Sequence, residues 1–306
     1  MQTVHLLLGT HQFAMSHPSV FYKYASASTT IKVLETGRLR WSSPLLFNDL
    51  SEFQRMPRFA PPVAEALSAL HVILVDAAFG DAKIDEPQLA PSSQLLLALI
   101  RRLRDAGKDR VELIAQLTDA PPDADERIAS RLREAFDGFG IDTARVLCVT
   151  TVFDNEAMWA NYAEGHAGCV LGFRHIPLLD TPLQAARPVE YTEYPPVVGS
   201  GLDFLLYGDT PDLRSRIFDA VCFSKKVHWS YEKEWRAITW RPSERGVQSG
   251  DYEFYPGELE SLTLGARATA ETEAVVRSWL QSAYPQCSLF RLVIQHGVAT
   301  RQKAYP

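Results

Sequence analysis

The residues best equipped for chemistry stand in one run, Trp229-Ser230-Tyr231-Glu232-Lys233-Glu234-Trp235-Arg236. If the run is extended, side chains two apart share a face, so Glu232, Glu234 and Arg236 point one way while Tyr231, Lys233 and Trp235 point the other. Two carboxylates on one side are costly to bury unless a cation or a shared proton matches them, and perturbed pairs of that kind are enriched in active sites. The same alternation suits an edge strand carrying solvated charges, and the pattern alone does not separate the two.

Two further groupings hold polar and aromatic residues at suggestive spacing. In Met158 to Gly168, Trp159 and Tyr162 are three apart and share a helix face, with His166 just beyond the helix end. Aromatics at that spacing serve core packing, and a histidine at a helix C-terminus suits a cap as well as a proton carrier. In Trp41 to Glu52, a strand delivers Ser42, Ser43, Asn48, Asp49 and Glu52 to one rim, a polar wall for a ribose or phosphate. Asn48 and Asp49 can equally close a turn on their own backbone. Tyr22, Lys23 and Tyr24 on a first strand offer a stacking face and a cation, or simply core rings.

The elements that must position these groups follow from periodicity. Phe21 to Tyr24 predicts a strand, Thr29 to Glu35 a helix capped by Gly37, and Leu39 to Ser42 a second strand. From Pro61 to about Gly140, apolar residues recur at helical spacing in Val63 to Asp76, Leu95 to Leu103, Val111 to Leu117 and Arg127 to Phe136. Val146 to Phe153 predicts a buried strand, Glu156 to Glu164 a helix and Cys169 to Phe173 a strand. Val189 to Tyr191 predicts a short strand, Asp212 to Lys225 a helix and Glu234 to Trp240 a half-buried strand. Leu259 to Leu264 and Leu289 to Gln295 predict strands with a helix, Thr269 to Ala283, between them. The expected class is α+β: a mixed or antiparallel central sheet flanked by helices, formed by residues 1–60 and 141–306, with a helical subdomain inserted at 61–140.

Composition narrows the function. The chain has 306 residues, 46% of them hydrophobic, enough for a large core. With 31 Lys and Arg against 37 Asp and Glu, the formal charge of −6 argues against broad capture of nucleic acid or anionic membrane, so any basic surface is local. Cys148, Cys169, Cys222 and Cys287 lack the paired spacing of a zinc site. The apolar run Val4 to Leu8 lacks the basic flank and cleavage site of a signal peptide, and no apolar stretch approaches the ~20 residues that span a bilayer. A cytoplasmic protein with reduced thiols is expected. Nucleotide-binding glycine loops, a nucleophile elbow and a His-Glu-x-x-His pair are all absent from the sequence.

Taken in order, Tyr22-Lys23-Tyr24, then Leu39 to Asp49 ending in Phe-Asn-Asp, then Met158-Trp159 with Tyr162, His166 and Gly168, then Trp229 with Tyr231 to Arg236, resemble the bacterial family catalogued as domain of unknown function 2971. The resemblance covers most of the chain outside the helical stretch and implies a fold more than a reaction. Leu50 stands where that family usually has Pro. A second resemblance is to ADP-ribosyltransferases, whose late strand carries a catalytic glutamate and whose Glu-x-Glu arrangement Glu232-Lys233-Glu234 looks like. The arginine or histidine of their first strand is missing, with Lys23 or Tyr24 in its neighbourhood.

This second resemblance implies NAD as co-substrate, without a metal. Cleavage of the nicotinamide–ribose bond builds positive charge on the sugar, which a nearby carboxylate stabilises. Glu234 takes that role, and Glu232 orients or deprotonates a protein or nucleic-acid acceptor. Tyr22 or Tyr24 stacks on nicotinamide and Ser42 or Ser43 supports the ribose, with Asn48, Tyr162, His166 and Arg236 completing the candidate cofactor-binding set. A bacterial defence or toxin setting is implied by resemblance alone. Two other readings stay open. One is a metal-dependent nuclease using Asp49, Glu52, Glu232 and Glu234 as oxygen ligands with Lys225 or Lys226 near the phosphate. The other is a non-catalytic sensor or interaction protein in which Glu232 to Arg236 form a surface ion network.

Overall fold

The computed structural model describes residues 17–117, 123–138 and 140–304, so the apolar run at Val4 to Leu8 lies outside the described residues. The first half of the chain gives β1 (Val20–Ala25), α1 (Ala27–Thr36), β2 (Arg38–Ser42), β3 (Arg58–Phe59), α2 (Val63–Phe79), α3 (Pro91–Asp105), α4 (Arg110–Gln116) and α5 (Ala124–Gly138). The middle gives β4 (Ala144–Thr150), α6 (Glu156–Tyr162), β5 (Cys169–Arg174), β6 (Arg187–Pro188), β7 (Glu190–Thr192), β8 (Val197–Gly199), α7 (Gly201–Tyr207) and α8 (Pro211–Cys222). The last part gives β9 (Ser224–Lys226), β10 (Glu234–Trp240), β11 (Ser249–Glu253), β12 (Leu259–Leu264), α9 (Ala270–Ala283), β13 (Ser288–Gln295) and β14 (Val298–Lys303).

Two compact units result. One comprises the described residues of Gln12–Leu50, Gly140–Glu193 and Lys225–Pro306. Its sheet runs β11-β2-β4-β1-β5-β12-β13-β14, with β10 paired to β4 and β6 paired to β10. Every pairing is antiparallel except β12 with β13, which the helix α9 connects as a crossover. The protein is therefore α+β with a mixed, mostly antiparallel central sheet.

Alternation along the strands builds a core on each face of this sheet. Phe21, Leu147, Leu171, Phe173, Trp235 and Leu262 pack with Val33 and Leu34 of α1 and Val276 and Leu280 of α9. Tyr24, Val170 and Leu292 pack on the opposite face with Met158, Trp159 and Ala163 of the α6 region. Caps fix the helix ends: Ser26 accepts the Thr29 amide at the start of α1, and Gly37 ends it in the left-handed region at φ 64°, donating to Val33. Tyr284 ties α9 to α1 by donating to the Leu34 carbonyl at 3.0 Å.

The other unit is largely helical. It holds the described residues of Ser51–Phe139 together with Tyr194–Ser224, and so reaches past the 61–140 stretch that periodicity suggests. The added segment carries α7 and α8, and it belongs here because Leu206 of α7 joins Leu70, Leu74, Leu97, Ile100 and Leu113 in one core. Gly201 makes this junction possible. A Cβ there would stand 2.7 Å from the Pro61 carbonyl, whose oxygen accepts the Gly201 amide at 3.0 Å.

Candidate functional site

The run Trp229 to Arg236 is not one extended strand. Val227–Glu232 forms a 3-10 turn, Lys233 takes a left-handed conformation at φ 43°, and only from Glu234 does the chain enter β10. Two residues explain the break: Thr150 donates its hydroxyl to the Glu232 carbonyl at 2.5 Å, and Asn155 donates its side-chain amide to the Tyr231 carbonyl at 3.1 Å. Both contacts turn the backbone out of sheet register. The two glutamates nevertheless meet, Glu232 from the turn and Glu234 from the strand.

Their meeting point is Lys225 of β9. Its Nζ donates to Glu232 Oε2 at 2.6 Å and to Glu234 Oε2 at 3.2 Å. Arg236, on the same face of β10, grips Glu234 with two bonds, Nε to Oε1 at 2.7 Å and Nη2 to Oε2 at 3.0 Å. All four side chains are buried: Lys225 and Glu232 are 4% exposed, Glu234 6% and Arg236 0%. This excludes an edge strand with solvated charges, because each charge has been taken out of water and matched. Burial alone would raise the Glu234 carboxyl, but the Arg236 guanidinium and then Lys225 overcome it and bring the group down to about 2.

Other elements close around this quartet. Tyr191 of β7 accepts the Glu234 amide on its hydroxyl at 2.8 Å. Cys148 of β4 lies beside Glu234, and burial first, then the charge of Glu234, pushes its thiol well up. Lys23 donates to the Cys148 carbonyl at 3.0 Å, and burial lowers its ammonium. The indole of Trp229 covers Lys225 Nζ at 4.8 Å from the ring centroid.

One side of the cluster leads outward. Tyr162, at the end of α6, donates its hydroxyl to Glu232 Oε1 at 2.6 Å and accepts from Asn48 Nδ2 at 2.9 Å. Asn48 is exposed, whereas Tyr162 is half-buried. The loop that carries Asn48 is set by Ser43, whose fully buried hydroxyl caps the turn Pro44–Leu46 by accepting the Leu45 amide. That turn delivers Phe47 to the Arg236 guanidinium, 5.7 Å from the ring centroid. Ser43 thus acts on the site through Phe47 and Asn48, while Ser42 lies in β2 opposite Val146 and Ser249.

The remaining candidates are placed elsewhere. Tyr24 is 8% exposed, packs edge-on against Trp159 at 5.4 Å and accepts the Asn155 amide on its hydroxyl. It is a core ring that orders the start of α6. His166 stands in a left-handed conformation at φ 71°, its ring parallel to Trp159 at 6.2 Å and its Nδ1 buried without a hydrogen-bond partner. No hydrogen bond joins it to either glutamate. Tyr22 shares a register row with Thr150 and Glu234, which puts it on the same sheet face two strand spacings away, about 10 Å. There it meets Phe153 and the Arg301 guanidinium rather than the carboxylates.

Of the oxygen ligands proposed for a metal, Glu232 and Glu234 converge, and cations of the protein occupy them; Asp49 follows Asn48 in its loop, and Glu52 is counted with the helical unit. Among the described residues, no group of three or more His, Cys, Asp or Glu is placed to hold a metal ion. Tyr191 and Cys148 escape a reading of motifs, and Trp229, which heads the key run, has no role there that foretells its contact with Lys225. Tyr191 had a usable signal, a tyrosine on a short strand, but nothing in its neighbours points to Glu234.

No helix among the described residues is long and apolar enough to cross a membrane. Compared with family models, curated proteins and solved structures, the chain has no significant match.

Proposed function

We propose that the chain is an NAD-consuming transferase of the ADP-ribosyl type, acting in the cytoplasm on a protein or nucleic-acid acceptor, with Glu234 and Glu232 at its centre. The observation that supports this most is the meeting of two buried carboxylates on Lys225, a cation that a diphosphate can claim. Without substrate, Lys225 and Arg236 together neutralise Glu232 and Glu234. Engagement of Lys225 by phosphate draws away the cation that both carboxylates share, and the more negative wall favours a sugar cation over the neutral ribose.

In this reaction the bond from ribose C1′ to the nicotinamide nitrogen breaks and its electron pair leaves with nicotinamide. The acceptor's lone pair forms the new bond to C1′, and its proton passes to Glu232. Glu234 stays ionised because Arg236 holds it there. Tyr162 fixes the orientation of Glu232, and Asn48 beside it stands at the exposed edge where substrate would approach. The resemblance of Glu232-Lys233-Glu234 to the Glu-x-Glu of ADP-ribosyltransferases agrees with this reading. The test is nicotinamide release from NAD by the purified chain, repeated with Glu234→Gln. Release that disappears in the variant is expected; absence of turnover with every acceptor tried, or equal turnover in the variant, rejects the proposal.

A second reading is favoured by the full pairing of Glu234, whose two oxygens are both taken by cations. In it the quartet is a structural lock joining β9 to β10 in a non-catalytic sensor or interaction protein. A chain that never releases nicotinamide yet loses folding stability in Glu234→Gln is what this reading predicts.

A further inference from the structure

The helical unit contains a cavity of about 360 Å³ that the reaction above does not use, with Phe59, Phe204, Tyr207, Asp85, Asp203 and Arg216 among its lining residues. That size falls within the range of small-molecule sites. β3 supplies Phe59, β8 supplies Gly199, α7 supplies Asp203, Phe204 and Tyr207, α8 supplies Arg216, and the turn before α3 supplies Asp85. The rings of Phe59 and Phe204 lie 4.9 Å apart with an interplanar angle of 31°, and Phe59 and Leu213 are buried. The wall is therefore partly aromatic.

The charged residues on its wall are Asp85, Asp203 and Arg216, a net negative set. Arg216 is committed to Asp212 by a bond of 2.9 Å. The carboxylates of Asp85 and Asp203 are exposed and have no ion-pair or hydrogen-bond partner among the described residues. Two carboxylates without ion-pair partners among the described residues thus line a space whose wall also holds the rings of Phe59, Phe204 and Tyr207. An anion would meet repulsion there, and an uncharged apolar guest would leave both carboxylates without a partner. A bare divalent ion would have no third acidic ligand and would gain nothing from the rings.

We propose that this cavity binds a small organic cation with a flat, delocalised head, a guanidinium or amidinium compound. Such a head stacks on an aromatic face and pairs with a carboxylate through two parallel N–H bonds, so it uses both features of the wall at once. The site rests on the helical unit alone and stands whether or not the chain consumes NAD.

The test is calorimetric titration of the full chain with agmatine, which carries a guanidinium at one end and an amine at the other. Saturable binding is expected, weakened about tenfold or more in the double variant Asp85→Asn/Asp203→Asn and weakened again by added salt. Both substituted residues are exposed, and an unchanged thermal midpoint in the variant shows that lost binding is not lost folding. Phe204→Leu, which removes the ring and keeps an apolar side chain, is expected to weaken binding as well. No saturable binding, equal affinity in the double variant, or equal affinity for butylurea, which keeps the flat head without its charge, overturns the proposal.

Discussion

Glu234 and His166 both stand in motifs rich in aromatic and polar residues, yet their surroundings diverge. Glu234 itself is fully answered: Arg236 and Lys225 take the carboxylate, Tyr191 takes the backbone amide, and Tyr162 and Thr150 hold the neighbouring Glu232. Around His166 the answer is packing, with Trp159 lying flat against the ring and one ring nitrogen buried without a partner. Polar residue types alone do not distinguish the two regions. What separates them is whether the surrounding strands bring opposite charge to the same point.

The contrast can be broken experimentally. Arg236→Met should have the largest effect on stability, about 3–5 kcal/mol in urea unfolding, because it strands a buried carboxylate with Lys225 as its remaining cation. Tyr162→Phe should cost about 1.5–3 kcal/mol by removing a short bond to a charged acceptor. Tyr24→Phe, which loses only a 3.3 Å bond to the Asn155 amide, should cost about 0.5–1.5 kcal/mol. His166→Asn should be smallest, within about 0.5 kcal/mol, since asparagine tolerates the left-handed backbone. Parity between the Arg236 and His166 variants would erase the distinction.

Acid titration sharpens the same point. The Glu234 carboxyl is depressed in the folded protein, so the stability it contributes is fully present above the ordinary carboxylate range and is lost as pH falls from about 4.5 toward about 2. Thermal midpoints measured across that window should fall more steeply for the wild-type chain than for Glu234→Gln. Equal slopes would mean that Arg236 and Lys225 do not hold the group as described.

Much of the fold is legible in the sequence because β1, β4, β5, β10 and β12 bury alternating or continuous apolar residues, and α1, α6 and α9 carry recognisable caps. β11 (Ser249–Glu253) and β14 (Val298–Lys303) are not legible: they are polar strands at the two ends of the main strand path, and pairing on one side asks for no apolar alternation. α7 is hidden in the same way, seven residues starting at a glycine whose need arises from the Pro61 backbone far away in sequence. The site shows the same limit. Spacing foresees Glu232 and Glu234 on one side, but through a strand where the chain makes a turn; Lys225 or Lys226 is expected near a phosphate only in the nuclease reading, and nothing in the sequence shows that Lys225 bridges both carboxylates.

The most direct measurement is a side-by-side assay of nicotinamide release from NAD by the wild-type chain, Glu232→Gln, Glu234→Gln, Tyr24→Phe and His166→Asn, each first shown to be folded. Release by the wild-type protein and by the Tyr24 and His166 variants, with its loss in both glutamate variants, is expected. Release that survives in the glutamate variants, or fails in the wild-type protein itself, contradicts the proposed reaction.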